Sequence, residues 1–207
     1  MHLLPFLVVA LVVVAVEGGK SASPTCAPFP SSMIEFSANF KQPQPPLVKP
    51  HFQASFIQHK WDQNLSHITT GYIENSPSKT FVRVVQAYNG KMASSFFNFA
   101  NVTEEGLVDN TLTTFDAGST TPDVWRGYVN SNFPLFSAKI LIDAGAVFGG
   151  LVKRDFVDTP VATWNIMYQG VIPVSVFVDN CNIVVGFDYF APELRTRVIT
   201  KFFNIRA

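Results

Sequence analysis

Asn89-Gly90 is the feature that most narrows what this chain can become. The pair lies between Thr80–Tyr88 and Lys91–Phe99, two runs rich in β-branched and aromatic residues. Asn-Gly supplies positive φ at both central positions of a type I′ turn, so the two runs form a β-hairpin. The turn fixes the register. Tyr88 faces Lys91, Val84 faces Ser95 and Val82 faces Phe97 on one side of the sheet. Arg83 with Phe96 and Phe81 with Asn98 fall on the other. Neither side is cleanly polar, which suits a curved sheet covered on one face and partly wet on the other.

The same alternation recurs along the chain. His51–Ile57 puts Phe52, Ala54 and Phe56 on one face, and Ile68–Glu74 is a second run in which Gly71 marks a bulge. Gly106–Phe115 follows. After Gly149-Gly150 come Leu151–Val157, Val161–Gln169, Val171–Asp179, Ile183–Tyr189 and Leu194–Ile205. In the last, Leu194, Thr196, Val198, Thr200 and Phe202 share one face, opposite Arg195, Arg197 and Lys201. Helix signals are few. Thr121-Pro122-Asp123 offers a cap residue, proline at the first helical position and an acid in the first turn. Val124, Trp125, Tyr128 and Val129 follow at helical spacing, which predicts a short amphipathic helix; Phe133–Asp143 suggests another. The layout is about five strands, one or two short helices, then four or five strands, without the βαβ alternation of a parallel sheet. We find no internal repeat and no second domain. The expected organisation is a signal peptide over 1–18, a Pro/Ser-rich segment over 19–50 and one β-rich domain over 51–207.

The signal peptide rests on the unbroken apolar run Leu3–Val16, followed by Gly18 and Gly19 as a cleavage site. The run is shorter than the roughly 20 residues of a membrane-spanning helix and fits the apolar segment of a secretory signal. The alternative is a buried N-terminal helix or strand. No later apolar run reaches spanning length, so no transmembrane segment is expected after signal removal. Export implies an oxidising, glycosylating compartment and a secreted, extracellular destination. There the two cysteines, Cys26 and Cys181, are expected to pair. That bridge would close most of the mature chain, for which chain-entropy reasoning gives an upper figure of about 5 kcal/mol. The sequons Asn64-Leu65-Ser66 and Asn101-Val102-Thr103 become N-glycosylation candidates at Asn64 and Asn101.

Composition excludes more than it assigns. With 15 basic and 15 acidic residues, nothing draws in nucleic acid or an acidic membrane surface. Charged residues are only 14% of the chain, against 20 Phe. So many rings in so lightly charged a chain must fill a core or line a cavity. For any single ring the core is the stronger reading; the ensemble and the curved-sheet layout argue for a hollow. His51, His59 and His67 are evenly spaced, but eight strand residues span about 26 Å, too far for one ion, so surface histidines and no metal are expected. Gly118-Ser119-Thr120-Thr121-Pro122 is not a nucleophile elbow. Asp155 with Asp158 and the pair Glu104-Glu105 read as solvated loop acids without a partner base. No phosphate-cradling Gly-rich loop occurs. Neither an enzyme nor a cofactor is expected.

Several short stretches resemble the LolA-like and ependymin-like secreted proteins. Phe52-x-Ala54-x-Phe56, Gly71-Tyr72 and the strand with Arg83 match loosely. Val161-Ala162-Thr163-Trp164 looks like the family's "valine, two residues, tryptophan" strand start, and Phe187-Asp188 and Phe202-Phe203-Asn204-Ile205 look like its closing segments. The likeness spans about residues 50–205. This chain has two cysteines where ependymin-like chains carry several, and no lipoprotein-type cysteine closely follows the signal. The resemblance implies a curved antiparallel sheet forming an open half-barrel, one or two short helices over its concave face, and a lipid or other hydrophobic ligand bound without catalysis. Candidate pocket residues are Phe52, Phe56, Phe97, Phe99, Trp125, Tyr128 and Trp164. The alternative is an extracellular structural or interaction protein with a filled core and no ligand.

Overall fold

A computed structural model describes residues 26–34, 40–63, 65–88, 90–168 and 170–207. The signal-peptide reading, Asn64, Asn89 and Gln169 lie outside these residues. Eleven strands run in order: β1 (Phe52–Asp62), β2 (Leu65–Ser76), β3 (Phe81–Tyr88), β4 (Lys91–Val102), β5 (Val108–Asp116), β6 (Asp123–Val129), β7 (Val147–Val152), β8 (Val161–Tyr168), β9 (Ile172–Val178), β10 (Val184–Ala191) and β11 (Thr196–Arg206). All belong to one sheet of order β6-β5-β4-β3-β2-β1-β11-β10-β9-β8-β7. Every pairing is antiparallel, and β6 and β7 stand at opposite edges, so the sheet is an open half-barrel. Its two wings meet where β1 pairs with β11.

The hairpin register expected around Asn89-Gly90 is the observed one: Tyr88 with Lys91, Val84 with Ser95, Val82 with Phe97, Arg83 with Phe96 and Phe81 with Asn98. Two glycines let strands come close. A Cβ at Gly71 would run into the Val85 carbonyl oxygen of the neighbouring strand and the Phe56 ring. No register shift occurs there, so Gly71 marks a close approach instead of a bulge. Gly186, at φ 153°, sits at the register shift between β9 and β10, where a Cβ would strike the Thr200 carbonyl oxygen.

Both expected helices are corrected. Residues 123–129 form the edge strand β6, with Trp125 opposite Leu112 and Tyr128 opposite Asp109. A two-turn helix is marginal alone, whereas Val124, Trp125, Tyr128 and Val129 suit a pleated surface and gain a full ladder with β5. Gly127 lies under the Trp125 ring, an aromatic cover over an edge glycine. In 133–143 only α1 (Ile140–Asp143) is helical. Residues 130–139 are an irregular strap with bends at 132–133 and a turn at 138–139. The Asn75 side chain takes the backbone groups that a helix would use: its Nδ2 donates to the Phe136 carbonyl (2.9 Å) and its Oδ1 accepts from the Phe136 amide (3.0 Å). The same Nδ2 donates to the Pro50 carbonyl (2.6 Å), tying the strap to the start of the sheet.

The expected strand 151–157 also shifts. β7 begins earlier and includes the glycine pair, while residues 153–160 cross the outer face of the sheet. There Arg154 stacks on Phe177 (3.8 Å) and makes a two-pronged pair with Asp188 (2.9 and 3.0 Å). Leu194, placed on the buried face of the last strand, precedes β11 and is exposed.

The core fills the concave side. Strap and α1 press Phe133, Phe136 and Leu141 onto Phe52, Phe56, Phe187 and Phe202. Ring centroids lie 5.2 Å apart for Phe56–Phe133, 5.6 Å for Phe52–Phe202 and 5.8 Å for Phe136–Phe187. Each ring so buried contributes about 1.5–3 kcal/mol. The Pro-rich stretch 41–50 has no regular structure but belongs to this packing. Val48 is buried, its amide donates to the Ala138 carbonyl (3.0 Å), and Phe40 stacks on Phe148 (6.5 Å). Cys26 and Cys181 form the expected disulfide, with Cα atoms 5.3 Å apart.

Candidate functional site

The rings do not occupy all the space on the concave side. Between the strap and β8–β10 a hollow of about 520 Å³ remains. Strand alternation builds its wall: Ile166 and Tyr168 from β8, Ile172, Val174 and Val176 from β9, and Phe187, Tyr189 and Ala191 from β10. The pairings Ile166–Val174, Val174–Tyr189 and Val176–Phe187 keep these side chains on one face. The strap roofs it with Asn130, Ser131, Asn132, Pro134 and Phe136, joined by Ile140 of α1. Gly106 and Val108, from the far wing, close one side.

The hollow has a dry end and a polar end. Phe136, Val176 and Phe187, each about 1% exposed, line the dry end. Two residues beyond Phe187 comes Tyr189, level with Val174, and one step further, level with Ile172, comes Tyr168; the exposed turn Pro192–Leu194 follows. The Tyr189 hydroxyl donates to Asn132 Oδ1 (3.2 Å), latching wall to roof. Burial, aided by the Asp62 carboxylate, pushes this phenol up to about 12. Burial also raises Tyr168. Ser131 is occupied locally: its hydroxyl accepts from the Phe133 amide (3.1 Å) and donates to the Phe133 carbonyl (2.8 Å).

None of the seven candidate pocket residues lines this hollow. Phe52, Phe56, Phe97 and Trp164 are buried, and Phe99 is packed against the same core. Trp164 meets Phe148 at 5.4 Å. Trp125 and Tyr128, expected together on a helix face, lie on opposite faces of β6, 47% and 46% exposed. The residues that do form the wall sit on strands the sequence marks out. Their periodicity is that of any core position, however, so nothing local separates Ile166 from Trp164 or Val176 from Val178.

A second, shallower depression of about 570 Å³ lies against the sheet near Met167, Pro173, Phe190 and Arg197. It has no roof, so an apolar occupant there would stay largely in water, and the roofed hollow is the better candidate. His59 Nε2 lies 2.7 Å from Ser66 Oγ, the serine of the first sequon, but this pair is on the outer surface, where His59 also stacks on Trp61 (3.5 Å). Among the described residues no group of three or more His, Cys, Asp or Glu could hold a metal, and no helix is long and apolar enough to cross a membrane. Asn101 is exposed at the end of β4, its amide donating to Asp109 Oδ2 (3.2 Å). The hydroxyl of its sequon partner Thr103 accepts from the Leu107 amide (3.2 Å).

No family model matches this chain, and no curated protein matches it. Among solved structures it is similar to a DUF1329 family protein from Desulfovibrio piger ATCC 29098, with 10% identity over 76% of this chain and 85% of that one. The TM-score is 0.33, a likeness that carries no argument about function.

Proposed function

We propose that this chain is a secreted, N-glycosylated binding protein that carries a hydrophobic small molecule in the hollow beneath its strap. One observation supports the reading above all: a roofed space of about 520 Å³, walled by Ile166, Val174, Val176 and Phe187, inside an interior that is elsewhere ring against ring. Ligand sites commonly measure about 300–1,000 Å³, and well-packed domains leave few voids larger than a water molecule. The disulfide accords with export. The open half-barrel accords with the LolA-like and ependymin-like resemblance. Binding without catalysis fits the site, where two tyrosines face apolar walls with no nucleophile–base pair beside them.

The test is a titration of delipidated full-length protein with the apolar dye N-phenyl-1-naphthylamine. Saturable enhancement at one site per chain is expected, weakened about tenfold or more by Val174→Trp, which fills the hollow from a half-buried position. A linear, unsaturable rise, or saturation untouched by Val174→Trp, would overturn the assignment. The exposed rings of β4–β6 favour a second reading, an extracellular interaction protein; it gains if the dye finds no site and the chain instead retains a partner through Trp125 and Tyr128.

A further inference from the structure

We infer that the occupant of the hollow is an uncharged lipid with a hydroxyl-bearing head, of the long-chain alcohol, sterol or acylglycerol class, and not a free fatty acid. The inference rests on the reading of the hollow as a ligand site and adds what the polar end selects.

No Lys, Arg or His lines the hollow; its lining carries one ionisable carboxyl, Glu193, in the exposed turn at the polar end. Asp62 acts in the same sense, since its carboxylate is felt by the Tyr189 phenol. Lys60, on the concave face of β1, is paired with Asp62 at 3.5 Å and so brings no net positive charge. A fatty-acid carboxylate drawn in here would lose water, gain no counter-cation and face Glu193. Burying an unpaired carboxylate is among the costliest transfers a site can make.

A hydroxyl meets the opposite circumstances. The Tyr189 hydroxyl spends its proton on Asn132 Oδ1, which leaves the Asn132 amide N–H groups to donate and the Tyr189 oxygen to accept. The Tyr168 hydroxyl has no partner among the described residues. Donor and acceptor therefore stand side by side, the complement of one alcohol group. The dry end, lined by Phe136, Val176 and Phe187, lies where the tail of such a molecule would run.

The experiment displaces N-phenyl-1-naphthylamine from the full-length protein at pH 8 with three ten-carbon amphiphiles below their micelle concentrations: decanol, decanoate and decyltrimethylammonium. Decanol is expected to displace the dye at about a tenth of the decanoate concentration or less, with the ammonium compound weaker than decanol. Decanoate or the ammonium compound matching decanol would overturn the inference while leaving the hollow a ligand site. A dye that never binds saturably would remove the ligand site and the inference together. Two exposed positions sharpen the result without touching the core. Glu193→Lys should strengthen decanoate about fivefold relative to decanol; an unmoved ratio of the two counts against the inference. Asn132→Leu should weaken decanol several-fold more than it weakens the dye; equal effects on both would mean that the amide does not read the head.

Discussion

The two wings of the sheet present the same alternation to the same concave side, yet the core reaches the edge strand of only one of them, since on the N-terminal wing it stops at Phe97 of β4 and Val108 of β5. On β8–β11, Ala162, Trp164, Ile166, Val176, Phe187, Val198 and Phe202 are all buried. On β6, Trp125 points to that side and remains about half exposed, while Val124 and Tyr128 on the other side are exposed as well. The difference lies in what crosses the face. Strap, α1 and the stretches 26–34 and 40–50 lie over the C-terminal wing and the central strands. A ring's fate in this fold is thus decided by a segment distant in sequence, and the hollow exists where that cover stands off the sheet instead of touching it.

If that contrast is real, truncating one tryptophan on each wing should give very different losses. Trp164→Ala empties a site packed against Phe148 and should cost about 3–5 kcal/mol. Trp125→Ala removes a half-solvated ring and should cost well under half as much. Urea denaturation of the two variants measures both. Similar values would mean that the β6 edge of the N-terminal wing is covered in solution and that the comparison is wrong.

Next in size is the tether that holds the cover at its start. Cys26–Cys181 closes 155 residues and anchors the N-terminal segment beside the turn before β10, where Asn180 Nδ2 also donates to the Cys26 and Ala27 carbonyls (3.2 Å each). Replacing both cysteines by serine should lower stability by about 2–4 kcal/mol. The effect belongs to the covered wing: hydrogen exchange should rise first in β8–β10 and least in β4–β6. Uniform loosening of both wings would contradict the division.

Smaller still, and more specific to the hollow, is Asn75→Ala. It leaves the Phe136 amide and carbonyl and the Pro50 carbonyl without their partner, at about 1–3 kcal/mol. Because Asn75 fixes where the strap lies, dye affinity should fall by more than the global loss explains. An unchanged dye affinity in a destabilised protein would show that α1 alone positions the roof.

These contrasts also mark how far the sequence could be read. Pairing within the hairpin was legible because Asn-Gly dictates geometry locally. So was the disulfide, because two cysteines have one pairing. Edge strand β6 was not: Thr121-Pro122-Asp123 imitates a helix start, and the β5 ladder that overrides it forms through tertiary contact. Nor was the strap, since the residue that prevents a helix over 133–139 is Asn75, some 61 positions away from Phe136. The wall of the hollow was readable as strand and unreadable as wall. Phe52, Phe56 and Trp164 looked no different from Ile166, Val174 and Tyr189 until the strap determined which of them it would touch.

Tyr189 supplies the finest test, since it joins the covered wing to its cover through Asn132. Its hydroxyl titrates at about 12 in the folded protein against an ordinary value of 10.0, first because it is buried and second because of Asp62. A raised pKa means that the fold favours the neutral phenol. The sign follows: its contribution is complete below pH 10 and is lost as pH climbs from 10 towards 12. Tyr189→Phe removes both the titration and the bond to Asn132, costing about 0.5–1.5 kcal/mol at pH 8. The stability gap between parent and variant should therefore stay constant from pH 7 to about 9.5, then shrink steadily above 10. Taking the difference cancels the alkaline response of every other group common to both chains. A gap that holds its size through pH 11.5 would place the Tyr189 hydroxyl in open water, and with it the polar end of the hollow.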